Sequence, residues 1–152
     1  MMQGKCLEKD MDSHSFKISG CFCGDKTLPS LNQYLAEIGR NPKAGGRLKN
    51  QYLIIITNAI RRDLGRFSTD SPVILHYTFA EPNRGQKRDY SNIFSGAAKF
   101  IEDALVRCNV IPDDNPKYVV NFTHDFVYTD GEPYISVEIE EVEIEETGRV
   151  VN

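Results

Sequence analysis

The chain has no tryptophan, three histidines and four cysteines, and its longest unbroken apolar run is Tyr52–Ile56. A helix that crosses a bilayer needs about 20 consecutive apolar residues, so no segment reads as a span and no membrane partner is expected. Residues 1–14 are polar and mixed in charge, without the apolar stretch of an export signal. They read as a flexible N-terminal extension. Cys6, Cys21, Cys23 and Cys108 form no CxxC pair, and no HxxxH accompanies them. The usual zinc spacings are therefore missing. Free thiols are expected instead, and they suit a reducing cytoplasm. His14, His76 and His124 are isolated from one another. His76, inside VILHYTFA, is expected to be a hydrogen-bonded strand residue; no role follows for His124. Internal repeats and low-complexity linkers are absent.

What is present suits one globular domain: 152 residues, 40% of them hydrophobic. The net charge of -4 hides an asymmetry. Residues 38–89 carry 10 Lys/Arg and 4 Asp/Glu, whereas residues 90–152 carry 4 and 13. The basic middle suits a polyanion and the acidic remainder does not.

The patterning predicts the order β-α-β-α-β-β. Residues 15–22 alternate as a first strand, and residues 23–46 are punctuated by Gly-Asp, Asn-Pro and Gly-Gly as a long loop, with a helical turn over 31–38. Leu48, Tyr52, Ile55, Ile56, Ala59 and Ile60 recur at helical spacing over 47–64, and Gly65 is placed to stop that helix. Val73–Ala80 is rich in β-branched and aromatic residues, as a buried strand should be. Ile93, Ala97, Phe100, Ile101, Ala104, Leu105 and Cys108 form the apolar stripe of a second helix over 91–108. Strands are predicted over 117–128 and 133–144, with a bulge or bend at Glu140-Glu141, where the alternation changes phase. The glutamates of that last strand are expected to face solvent and guard an exposed edge. The fold class is an α+β single domain with a mixed sheet and two main helices.

The chemistry-bearing stretch runs from Lys87 to Val119. Asp89 precedes the second helix, Lys99 lies within it, and Asp113-Asp114 follows it. At 100° per residue Lys99 leaves the apolar stripe and shares a face with Asn92 and Asp103. Converging carboxylates hold a hard divalent cation, and a nearby lysine holds a phosphate. The helix is about 27 Å long, so Asp89 and Asp114 meet only if the following strand returns the chain. A plain structural reading is also open. In it Asp89 or Ser91 caps the helix, Pro112–Asn115 is a turn and Lys99 is a surface cation.

The run Arg88-Asp89-Tyr90-Ser91-Asn92-Ile93, with Lys99, Asp103-Ala104-Leu105 and Asp113-Asp114, resembles the RusA family of Holliday junction resolvases. The segment Leu28–Tyr34, which includes Asn32, and the stretch Gly45–Lys49 are also similar, so the resemblance spans roughly residues 15–142. It implies that residues 15–152 form a RusA-like nuclease domain. The implied enzyme is a homodimeric crossover junction endodeoxyribonuclease that depends on Mg²⁺, or Mn²⁺ in its place. Such enzymes cut four-way DNA junctions by paired nicks in recombination and repair, and are common in phages and prophages. Asp89 and Asp114 match metal-binding catalytic aspartates, Asp113 is the acidic neighbour, Lys99 matches the catalytic lysine, and Asn92 closes the motif. Ser91 departs from the family, which has its second catalytic aspartate there. It can hold a metal through water, or it leaves a DNA-binding pseudo-nuclease with impaired catalysis. Arg84, Lys87, Arg88, Arg40, Lys43, Arg47 and Lys49 are the expected phosphate contacts.

Overall fold

The computed structural model describes residues 14–19, 41–83, 90–145, 148, 150 and 151. Its elements are β1 (His14–Ser19), α1 (Pro42–Leu64), β2 (Val73–Pro82), α2 (Tyr90–Arg107), β3 (Val119–Thr129), β4 (Tyr134–Glu141), β5 (Glu143–Ile144) and β6 (Val150–Val151). This is the predicted α+β domain with two helices and a mixed sheet. Both helices cover one face of that sheet. The predicted turn over 31–38 lies outside the described residues. No described helix is long and apolar enough to cross a membrane.

α1 starts earlier than the Gly45-Gly46 pair suggested. Asn41 Oδ1 accepts the Lys43 N–H at 3.0 Å, an N-cap bond, and Pro42 takes the first helical position. A good cap and a proline at N1 nucleate the helix, and two glycines in the next turn do not prevent it. Tyr52, Leu53, Ile56, Ala59 and Ile60 are buried, Ile55 partly, and Ile54 is exposed. Gly65 ends the helix as expected: its φ is +61° and its N–H returns to the Arg61 carbonyl at 3.1 Å.

α2 buries Ala97, Ala98, Phe100, Ile101, Ala104 and Leu105. It ends in a Schellman motif. Asn109 sits at φ 59°, its N–H reaches the Val106 carbonyl, and the Val110 N–H reaches the Leu105 carbonyl. Leu105 and Val110 are both buried, as the motif's hydrophobic contact requires. The Val110 carbonyl then accepts the Thr69 N–H at 2.9 Å, which anchors the turn beside the start of β2.

The sheet order is β1-β4-β2-β3. β2 and β3 are parallel, with Val73 opposite Val119 and Pro82 opposite Thr129. β4 is antiparallel to both β1 and β2. This corrects one expectation. β4 is an inner strand, so its glutamates guard no edge; Glu140 projects from the open face, where it meets His76, and Glu141 accepts from Thr69 Oγ1 at 2.9 Å. The return after Thr129 inserts β4 between β1 and β2, and β3 is left outside. The predicted phase change also has a different form. The strand stops at Glu141, the Val142 N–H bonds to the Pro72 carbonyl, and the chain leaves for the β5–β6 pair.

On the open face His76 bridges three strands. Its ring nitrogens lie 2.7 Å from Thr123 Oγ1 on β3 and 2.8 Å from Glu140 Oε1 on β4. It is the hydrogen-bonded strand residue anticipated.

Candidate functional site

Glu102 is placed by α2 beneath β2. The Tyr77 hydroxyl donates to Glu102 Oε2 at 3.4 Å, and Tyr77 itself is 1% exposed. Burial drives the Tyr77 phenol well above 10, so it stays a donor. Burial first, then repulsion from Asp114 and Asp103, raises the Glu102 carboxyl to about 7. Asp114 is raised as well, by burial and by Asp113 and Asp103. Glu102, Asp103 and Asp114 therefore share one negative field. The pattern of apolar residues draws no attention to Glu102. The one available signal was its place three residues after Lys99 and beside Asp103.

Asp113 does the work of the turn. Its Oδ1 accepts the Asp114 N–H at 2.7 Å and its Oδ2 accepts from Asn115 Nδ2 at 2.8 Å. Those donors hold its carboxyl below the usual range. Asn115 Oδ1 in turn accepts the Lys117 N–H, and the Asn115 carbonyl accepts from Tyr118 and Val119. The plain reading of residues 112–115 as a turn thus describes Asp113, while Asp114 is the acid turned toward α2.

Lys99 is exposed, one helical turn before Glu102 and Asp103. Lys49 Nζ lies 3.7 Å from Asp103 Oδ2 and joins α1 to α2. Both side chains meet solvent, so the pair is worth under about 1 kcal/mol. Lys43 and Arg47 are exposed at the start of α1, and Ser91 is exposed in the first turn of α2. Asn32, Arg40, Arg84, Lys87, Arg88 and Asp89 lie outside the described residues, as does the Asn92 side chain. A shallow hollow of about 510 Å³ at the end of α1 is lined by Arg61, Arg66, Ser68 and Cys108. Sequence reading gave those arginines no part.

The other end of α2 is aromatic. Tyr90 stacks on Phe126 with ring centres 3.9 Å apart, and Phe126 stacks on Phe79 at 4.9 Å. Phe94 sets its edge against Tyr77 and Phe79 and contacts Phe122 and His124. The Tyr90 and Tyr128 hydroxyls share a hydrogen bond.

α2 rises about 18 Å between Tyr90 and Glu102. Asp114 stands with the second half of the helix. β3 runs from the Asp114 end back toward the Tyr90 end, so Thr129, not Asp114, returns there. Among the described residues no three His, Cys, Asp or Glu side chains group as a metal site. The donors at Glu102 and Asp114 are nonetheless hard oxygens, and one or two carboxylates suffice for Mg²⁺ when water and phosphate complete its shell. The chain matches no protein-family model and no curated protein.

Proposed function

We propose that the chain is a Mg²⁺-dependent endonuclease that resolves four-way DNA junctions by paired nicks, working as a homodimer in the cytoplasm. Mn²⁺ would substitute for Mg²⁺. The observation that supports this reading is the mutual repulsion of Glu102, Asp103 and Asp114 one turn from Lys99. Such repulsion is relieved when a divalent cation binds. Asp114, with Glu102 beside it, would hold the cation; the RusA-like motif also assigns Asp89, which in the sequence adjoins Tyr90 at the other end of α2. A Mg²⁺ held there would supply charge neutralisation for a phosphodiester and a more acidic water. The Lys99 ammonium binds a phosphate oxygen as a point charge. Glu102 would be held in its ionised form by a cation bound there. Lys43 and Arg47 contact flanking phosphates, which position DNA without reading its sequence.

A specific observation favours a second reading, a protein that binds branched DNA without cutting it. Ser91 brings no carboxylate to the start of α2, and the described acids gather about 18 Å along the helix from Tyr90. Cleavage of a synthetic four-way junction with Mg²⁺ separates the two. The nuclease reading expects wild-type nicking, and a loss of about a hundredfold or more in Asp89→Asn and Asp114→Asn with junction binding retained. Nicking by Ser91→Asp alone would select the second reading. Full activity in Asp114→Asn would remove Asp114 from the chemistry.

A further inference from the structure

The two outer strands of the sheet are finished differently. β1 is six residues long, and the outward backbone of its Lys17 is occupied. The Lys17 N–H donates to Asp63 Oδ2 at 2.9 Å, and Arg62 Nη2 donates to the Lys17 carbonyl. Arg62 and Asp63 are themselves paired at 2.8 Å, so α1 closes that edge with a fixed plug. β3 has eleven residues and no such plug among the described residues. It contains no lysine or proline, and Asp125 is its single formal charge. Its register with β2 is unbroken from Ile74–Asn121 to Pro82–Thr129. Phe122 is 46% exposed, Val127 42% and Tyr128 39%. Long, flat, apolar edges recruit another strand unless something blunts them.

We propose that β3 pairs with β3 of a second copy of this chain, antiparallel about a two-fold axis at His124. The two sheets then become one continuous sheet. A two-fold contact must be self-complementary, and this strand meets that condition in one register. The Phe122 N–H bonds to Asn121 Oδ1 at 2.8 Å instead of the ladder, so the even-numbered residues direct their backbone outward. An axis at His124 pairs residues 121–127, within the unbroken part of the strand, and sets outward residues against outward residues. It puts Phe122 opposite the partner's Phe126 and Thr123 opposite the partner's Asp125. Aromatic pairs and neutral–acid pairs are favourable across strands. An axis at Asp125 would instead set two carboxylates face to face, and it is disfavoured for that reason.

The pairing rests on the homodimer of the proposed function and gives it an interface; the test reads mass in solution on the full chain without DNA, so its failure is separate from a failure to nick junctions. Sedimentation equilibrium is expected to show a dimer. His124→Pro removes an N–H that faces away from β2 and is expected to give a folded monomer with an unchanged circular dichroism spectrum. Thr123→Asp is expected to weaken the dimer about tenfold and Thr123→Lys to strengthen it, since each change meets Asp125 twice across the axis. A monomeric wild type overturns the proposal, and it is also the result if the chain's own residues 1–13 or 20–40 cover β3. A dimer indifferent to all three variants overturns it too.

Discussion

The two ends of α2 are built on opposite terms. At Tyr90 the helix is held by stacked rings, with Tyr90, Phe126 and Phe79 in sequence and Phe94 set edge-on between strands. At Glu102 three carboxylates repel one another beside a phenol that burial keeps protonated. The first end lowers the energy of the fold as it stands. The second holds energy that a proton or a cation releases. Perturbed carboxylates concentrate at functional sites, and the proposed function puts its cation at the Glu102 end for that reason.

Breaking the aromatic end should have the largest effect. Phe79 is 1% exposed and contacts both Phe126 and Phe94. Phe79→Ala should cost about 4 kcal/mol, from lost transfer energy and the cavity left behind. At about 2–4 °C per kcal/mol for a chain of this size, thermal unfolding should fall by roughly 10 °C, equally at pH 5 and pH 8.

The acidic end should respond to pH and less to volume. The folded-state value of Glu102 is about 7, above the 4.5 of an ordinary glutamate. Its protonated form is therefore favoured by folding. That stability is fully present below about 4.5 and is lost as pH rises through about 7. The displacement is worth at most about 3 kcal/mol, and partial contact with solvent trims it to about 2. Asp114 is raised too and acts in the same direction, while Asp113 is lowered and acts in the opposite one. Subtracting the Glu102→Gln curve from wild type isolates the Glu102 share. In denaturant titrations the variant should be about 2 kcal/mol the more stable at pH 8 and level with wild type at pH 4. Equal stability at both values would mean that Glu102 is not under strain. Mg²⁺ at pH 8 should raise the wild-type midpoint and leave the Glu102→Gln midpoint nearly unmoved, which would tie the strain to cation binding.

How the two ends appear in the sequence explains what was legible. Helical spacing of Ala97, Phe100, Ile101, Ala104 and Leu105 showed which face of α2 is buried, and Gly65 showed where α1 stops, because both depend on neighbours along the chain. The Asp113-Asp114 pair was visible, but its division of labour was not. Which acid serves the turn depends on where Asn115 and the Asp114 N–H fall in space. Glu102 was hidden for a similar reason: its character comes from Tyr77 on β2, twenty-five residues away. The position of β4 was misjudged because an alternating strand looks alike at the edge or inside a sheet. Only long-range pairing decides it, and here that pairing left the apolar β3 outside.

The smallest effect comes from the turn that joins α2 to the acidic loop. Asn109 holds φ 59°, a conformation in which the Cβ of most residues crowds the following carbonyl. Asparagine tolerates it and glycine does so freely. If the backbone is what matters, Asn109→Ala should cost about 1 kcal/mol and Asn109→Gly should change stability by a few tenths at most. Both should keep the pH profile of the wild type, because the motif's backbone bonds from Asn109 and Val110 continue to direct the chain toward Glu102. Chemical denaturation of the two variants at pH 4 and pH 8 checks this. A glycine variant as damaged as the alanine one would show that the Asn109 side chain, not its φ, fixes the turn. A loss confined to pH 8 would show that the turn sets the distance at which Asp114 and Glu102 repel.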